Sequence, residues 1–133
     1  MVDALLSVSS AKGIRVRLLI SRWAHTRPLI PNLLQALRHT SLALQPRPDR
    51  HSPGGLEIRL FEVPGWNDTV TTQTPNATWP AFTRVNHAKF IVTDRQVNIG
   101  TSNMAWGYFH NTAGCSFNSD HAGLRAQLQA VFD

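Results

Sequence analysis

The sequence predicts an α/β fold, a mixed β-sheet with helices packed on it, and three observations carry that expectation. Residues 14 to 20, IRVRLLI, alternate as a strand, residues 28 to 39 space their apolar side chains as a helix, and a second strand candidate follows at 56 to 63. The run VNHAKFIVTDRQVNIG, residues 85 to 100, reads as two strands folded about a tight turn. Residues 121 to 132 return to helical spacing and close the chain.

Taken in order, Asp3 is placed to cap a short first helix carrying Leu5, Leu6 and Val8, which Gly13 ends. Ile14, Val16, Leu18 and Ile20 then share one strand face, with Arg15, Arg17 and Leu19 on the other. The next helix, Pro28 to about His39, buries Ile30, Leu33, Leu34 and Leu37 and tolerates its proline in the first turn. Residues 41–55, rich in Pro, Arg and Gly, read as a surface connection too short for a domain linker. A strand from Leu56 to Val63 leads into a second surface loop, residues 64–83, holding Trp66, Trp79 and Phe82. Structureless loops of that length are usually functional or disordered. Ala113 to Phe117 is a further strand candidate, and in the last helix Leu124, Leu128 and Val131 share a face. With no internal repeat, residues 1–133 read as one domain.

Composition narrows the partners. Thirteen Lys and Arg against eight Asp and Glu give a net charge of +5, which favours anionic partners, phosphate esters and nucleic acids among them. A hydrophobic fraction of 42% excludes a disordered tail. The single cysteine, Cys115, cannot form an internal disulfide, and no Cys/His spacing resembles a zinc site. No metal or other cofactor is expected. No apolar run reaches the roughly 20 residues of a spanning helix, and the first ten residues lack the basic-then-apolar order of a signal peptide. Asn67-Asp68-Thr69 and Asn76-Ala77-Thr78 are both N-glycosylation sequons in one polar loop. Either they are used, and the chain is a fragment of a secretory-pathway protein, or they are coincidence in a Thr/Asn-rich stretch.

The candidate site follows from strand parity. Along an extended run, His87 and Lys89 point to the same side, and Asp94 falls on the opposite parity. A turn centred near Asp94 and Arg95 returns Gln96 to Ile99 as the antiparallel partner of Lys89 to Thr93, which sets Asn103 or its neighbour opposite His87. An imidazole, an ammonium and a carboxamide then converge on one patch, with Gly100 leaving room for a ligand. An anionic tetrahedral group suits it. Lysine supplies a point charge for a phosphoryl oxygen, Asn103, Thr101 and Ser102 donate hydrogen bonds, and the imidazole attacks phosphorus or moves a proton. None of these tasks needs a metal. On spacing alone Asp94 is an aspartate shaping a tight turn.

His87-x-Lys89-x4-Asp94 followed by Gly100-Thr101-x-Asn103 resembles the HxKxxxxD signature of the phospholipase D superfamily with its trailing G-[S/T]-x-N. The stretches RVRLLIS, RVNHAKF, IGTSN, Tyr108-Phe109, Thr112-Ala113-Gly114 and LRAQL are similar to the C-terminal half of one branch, phospholipase D family members three and four, endolysosomal 5'-3' exonucleases of single-stranded DNA and RNA. The resemblance implies one half of a two-motif fold and a phosphodiesterase working through a phosphohistidine. His87 would be one of a histidine pair serving as nucleophile and as general acid then base, Lys89 and Asn103 would hold nonbridging oxygens, and Asp94 would take an acidic, largely orienting place. It also implies an endolysosomal or secretory location.

This chain departs from the pattern in carrying one motif rather than two, so a complete site needs a missing N-terminal half or a second copy in a homodimer. Met104 and Ala105 precede Trp106 where related proteins usually have Trp-Ser directly after the asparagine. Trp79 and Phe82, leading into the catalytic strand, are the best placed aromatics for stacking bases. Two other readings keep part of this picture: a phosphodiesterase acting on phospholipid head groups, and a catalytically inactive single-motif remnant that only binds phosphate.

Overall fold

The computed structural model describes residues 1–44, 55–67 and 84–133. Trp79, Phe82, Asn76 and most of the two expected surface loops lie outside the described residues. The chain divides into two compact units, Met1–Asn86 and His87–Asp133.

In the first unit, helix α1 (Val2–Ala11) is followed by strand β1 (Arg15–Arg22), helix α2 (Leu29–Ala43) and strand β2 (Gly55–Glu62). Asp3 lies in the first turn of α1, where its charge suits the helix dipole, and Met1 rather than Asp3 holds the cap position. Gly13 adopts φ 64°, a left-handed conformation that turns the chain out of the helix, and the Ile14 N–H returns to the Val8 carbonyl at 3.2 Å. Strands β1 and β2 pair in parallel from Arg15↔Gly55 to Arg22↔Glu62, with α2 as the crossover that parallel pairing requires. The helix runs four residues past its expected end at His39 because no breaker intervenes before Leu44.

Both helices pack on β2. Leu56 is the buried apolar anchor, and its N–H donates to the buried Ser41 hydroxyl at 3.0 Å. Ser9, equally buried, donates to the Leu6 carbonyl at 3.1 Å. Both buried hydroxyls therefore have a partner, Ser9 within its own helix and Ser41 across on β2, as burial demands. On the other side of the strands, Arg15, Arg17 and Arg59 gather on Glu57 at 2.8, 3.4 and 3.1 Å. At the strand ends Arg22 reaches Glu62 at 3.0 Å while its guanidinium lies 4.6 Å from the Trp66 ring centroid. The Ser21 hydroxyl donates to the Asn86 carbonyl, and Arg84 donates to the Pro64 carbonyl at 3.2 Å.

The second unit is a three-stranded antiparallel meander, β3 (Lys89–Val92), β4 (Val97–Gly100) and β5 (Ser116–Ser119), with helix α3 (Trp106–His110) between β4 and β5 and helix α4 (Ala122–Ala130) after β5. The expected α/β class is present, but the described strands form two sheets, one parallel and one antiparallel, in place of a single mixed sheet. The strand expected at Ala113 to Phe117 starts at Ser116, since Cys115 is held by the loop after β4. Phe90, Val92, Val97, Ile99 and Phe117 share one face by register, and Val97 is 1% exposed. Helix α4 packs against β3. His121 caps α4, its Nδ1 accepting the Leu124 N–H at 3.2 Å. The helix ends at Ala130, so Val131 is exposed and Phe132, turned inward by a Phe132 N–H to Gln129 carbonyl bond, is buried instead.

Candidate active site

The hairpin that carries the candidate residues is fixed by local chemistry. Lys89 pairs with Gly100 and Val92 with Val97, and the Thr93 N–H closes the turn on the Gln96 carbonyl at 2.8 Å. The side chain that shapes this turn is Thr93. Its hydroxyl accepts the N–H groups of Arg95 at 3.2 Å and Gln96 at 2.9 Å and donates to the Gln96 carbonyl at 3.0 Å. The sequence reading gave that task to Asp94, which is exposed in the turn. A threonine before an Asp-Arg pair was the available signal. Arg125 of α4 holds the outside of the turn, donating to the Arg95 carbonyl at 3.0 Å and to the Asp120 carbonyl at 2.9 Å.

At the other end of the hairpin stand the motif residues. Strand β3 begins at Lys89, so His87 lies two residues ahead of it, exposed, rather than inside a longer strand from Val85. Lys89 is half-buried, and its ammonium donates to the His87 carbonyl at 2.8 Å. Burial pushes the Lys89 ammonium below the ordinary lysine pKa. Among the described residues no carboxylate pairs with it. Because directly paired residues of an antiparallel ladder face the same side, Lys89 shares its face with Gly100 and, across β4 and β5, with Asn98, Ser116 and Asn118. The Asn98 amide donates to the Asn118 side-chain oxygen at 2.8 Å on that polar face.

The ladder stops at Lys89↔Gly100, and the loop Thr101 to Asn103 leaves it at that point. Continued by two residues, the register sets Ser102, the neighbour of Asn103, opposite His87. Thr101 is occupied: its N–H donates to the Cys115 carbonyl at 3.1 Å, its hydroxyl donates to the same carbonyl at 3.3 Å and accepts the Cys115 N–H at 3.0 Å. A hydroxyl has one proton, so in this arrangement Thr101 shapes the loop, and Ser102 beside it is half-buried. Asn103 is also half-buried, and its carbonyl accepts the Ala105 N–H at 2.9 Å at the entrance to α3. The clasp between Thr101 and Cys115 is a long-range contact that no spacing rule announced.

The site thus groups a cation without a carboxylate among the described residues, an imidazole-bearing residue bonded to that cation through its backbone, and a loop with a hydroxyl and an amide. Of the remaining candidates, Asn67 is exposed. Trp106, exposed, lies against His110 with ring centroids 4.0 Å apart. No helix among the described residues is long and apolar enough to cross a membrane.

Comparison with known proteins places this geometry in context. No family model matches the chain. The 5'-3' exonuclease PLD3 of Rattus norvegicus is 38% identical over 133 residues, covering 98% of this chain and 24% of that protein. Phospholipase D Z of Dictyostelium discoideum is 37% identical over 133 residues, 100% of this chain and 26% of the relative. Phospholipase D Y of the same organism is 34% identical over 131 residues, 98% of this chain and 25% of the relative. The chain spans about a quarter of the length of the curated relatives it matches. With the HxKxxxxD residues on one hairpin and this similarity running along its whole length, the chain belongs to the phospholipase D superfamily.

Proposed function

We propose that this chain supplies one half of a phosphodiesterase site that hydrolyses single-stranded nucleic acid through a phosphohistidine. The observation that carries the reading is Lys89: a half-buried cation without a carboxylate among the described residues, held on the His87 carbonyl at 2.8 Å. A cation so placed is electrostatically incomplete, and a phosphoryl oxygen completes it. Lys89, Ser102 and Asn103 hold the nonbridging oxygens. His87 serves as one of two histidines. The nucleophilic imidazole forms a nitrogen–phosphorus bond as the bond to the leaving oxygen breaks, the opposing imidazole protonates that oxygen, and a water then cleaves the phosphohistidine. The opposing histidine comes from a second motif, in another part of a longer chain or in a second copy. Asp94 keeps an orienting role remote from the phosphorus.

Support for nucleic acid as substrate comes from the relatives named 5'-3' exonucleases and from the basic charge of +5. The two sequons fit an endolysosomal or secretory location. The test is release of nucleotides from a 5'-labelled single-stranded oligonucleotide by the assembled protein and by His87→Ala. Loss of release in the variant supports the assignment, and unchanged release removes His87 from the mechanism. A second reading, hydrolysis of phospholipid head groups, is favoured by the relatives named phospholipase D. Release of the head group from vesicles in the same assay, with no nucleotide released, selects it. Phosphate binding with turnover of neither substrate selects the inactive remnant.

A further inference from the structure

Gly114 follows helix α3 and precedes β5, and its conformation does not explain why it is glycine. Among the described residues only Gly13, Gly55 and Gly65 have positive φ. Space explains it. A Cβ at Gly114 would meet the Thr101 Oγ1 at 2.8 Å and the Ser102 Oγ closer still, both inside the distance that side-chain carbons tolerate. Those two oxygens do not yield equally. Turning the Thr101 hydroxyl away breaks its two bonds to the Cys115 backbone, at 3.0 and 3.3 Å. The Ser102 hydroxyl is free to rotate about χ1, and rotation re-aims the group that faces the ligand.

We infer that Gly114 is a positioning residue for the anion-binding loop: the missing side chain at 114 and the Thr101 clasp on Cys115 together fix the direction of Ser102 and the start of Asn103. The inference rests on the reading of Thr101 to Asn103 as a phosphate loop. It adds that the loop is held from behind by a glycine in neither the catalytic motif nor its Gly-x-x-Asn trailer. A methyl group at 114 displaces hydroxyls and leaves the hairpin ladder, which ends at Gly100, in place.

The test compares the 133-residue chain with Gly114→Ala, Ser102→Gly and the double variant, reading inorganic phosphate affinity by NMR titration and hydrogen exchange at the Cys115 amide. Ser102→Gly alone removes one neutral hydrogen bond and weakens phosphate binding a few-fold. Gly114→Ala is expected to weaken it about tenfold, because one hydroxyl is re-aimed and the clasp beside it loosened, and to speed exchange at Cys115. In the double variant the crowding atom at 102 is gone while the one on Thr101 remains, so the combined loss is smaller than the sum of the two single losses, a non-additive result that general destabilisation does not produce. Should Gly114→Ala fail to fold, Thr101→Val opens the clasp while keeping the side-chain shape and is read by the same two measurements. Unchanged Cys115 exchange and unchanged affinity in Gly114→Ala, or additive losses in the double variant, overturn the inference. A wild-type chain that binds no phosphate overturns the functional reading instead, and faster Cys115 exchange in Gly114→Ala would then uphold the positioning of the loop by itself.

Discussion

The two units handle positive charge in opposite ways. On β1 and β2, Arg15, Arg17 and Arg59 converge on Glu57, and Arg22 pairs with Glu62. On β3, Lys89 is carried into a half-buried position with a backbone carbonyl as its recorded partner. The parallel pair places its acids and bases side by side because register couples Arg17 to Glu57 and Arg22 to Glu62, with Arg15 reaching Glu57 from the next pair on the same face. The hairpin places opposite Lys89 a glycine, which has no side chain to neutralise it. Charge neutralised within a sheet is structure. A partly covered cation left with a backbone dipole is what makes the hairpin the candidate site.

Substitution of the site tests this contrast most severely. His87→Ala is expected to lower turnover of a single-stranded oligonucleotide by about 10²–10⁴-fold in the active assembly, the range of a removed proton-transfer or nucleophilic group. Arg22→Ala, on the neutralised sheet, leaves turnover near wild type, and equal losses from both would erase the distinction between the units. Lys89→Ala follows at about 10²-fold or more in kcat/KM, as a charge on a developing oxyanion is removed. The pH profile adds the sign. Burial lowers the Lys89 pKa, so the cation is present below that value and lost as pH rises through it. Activity therefore falls on an alkaline limb that begins below the ordinary lysine pKa, and that limb disappears in Lys89→Arg.

Stability measurements sharpen the comparison at smaller scale. Thr93→Val keeps the shape of the side chain and removes the acceptor of two N–H bonds, for an expected cost of about 1–2 kcal/mol in denaturant unfolding. Asp94→Asn, on the opposite parity and exposed, should cost less stability than Thr93→Val and less activity than Lys89→Ala. A larger loss from Asp94→Asn would show that the carboxylate reaches the site after all. The smallest effect is expected from Glu57→Gln, a shallow drop in the thermal midpoint. Arg15 hydrogen bonding, helped by Arg59 and Arg17, holds the Glu57 carboxyl below its ordinary pKa. Its contribution is present above the unfolded carboxylate value and is lost as pH falls through the lowered folded one. Salt screens the same interaction, so the Glu57→Gln difference should shrink in high salt.

Periodicity and turn chemistry, both local, made much of the molecule legible. Alternation in IRVRLLI located β1 within two residues, helical spacing located α2 and α4, and the Asp94-Arg95 turn set the β3–β4 register that joins Lys89 to Gly100. Lys89 and Asp94 of the motif lie on that hairpin, and His87 two residues ahead of it. Helix α3 was not legible, since five residues with three aromatics carry no apolar period. Trp79, Phe82 and the second sequon lie outside the described residues.

What the sequence alone determined was the course of α1, β1, α2, β2, the β3–β4 hairpin and α4, because these depend on neighbours a few residues apart. Tertiary structure alone decided the division into a parallel and an antiparallel sheet, the gathering of three arginines on Glu57, and the clasp of Thr101 on Cys115 beside Gly114. The contacts of Arg15 and Arg17 with Glu57 and of Thr101 with Cys115 join residues 14 to 42 positions apart. Partners that far away in sequence are chosen by packing and hydrogen-bond satisfaction across the folded chain, and no local pattern encodes that choice.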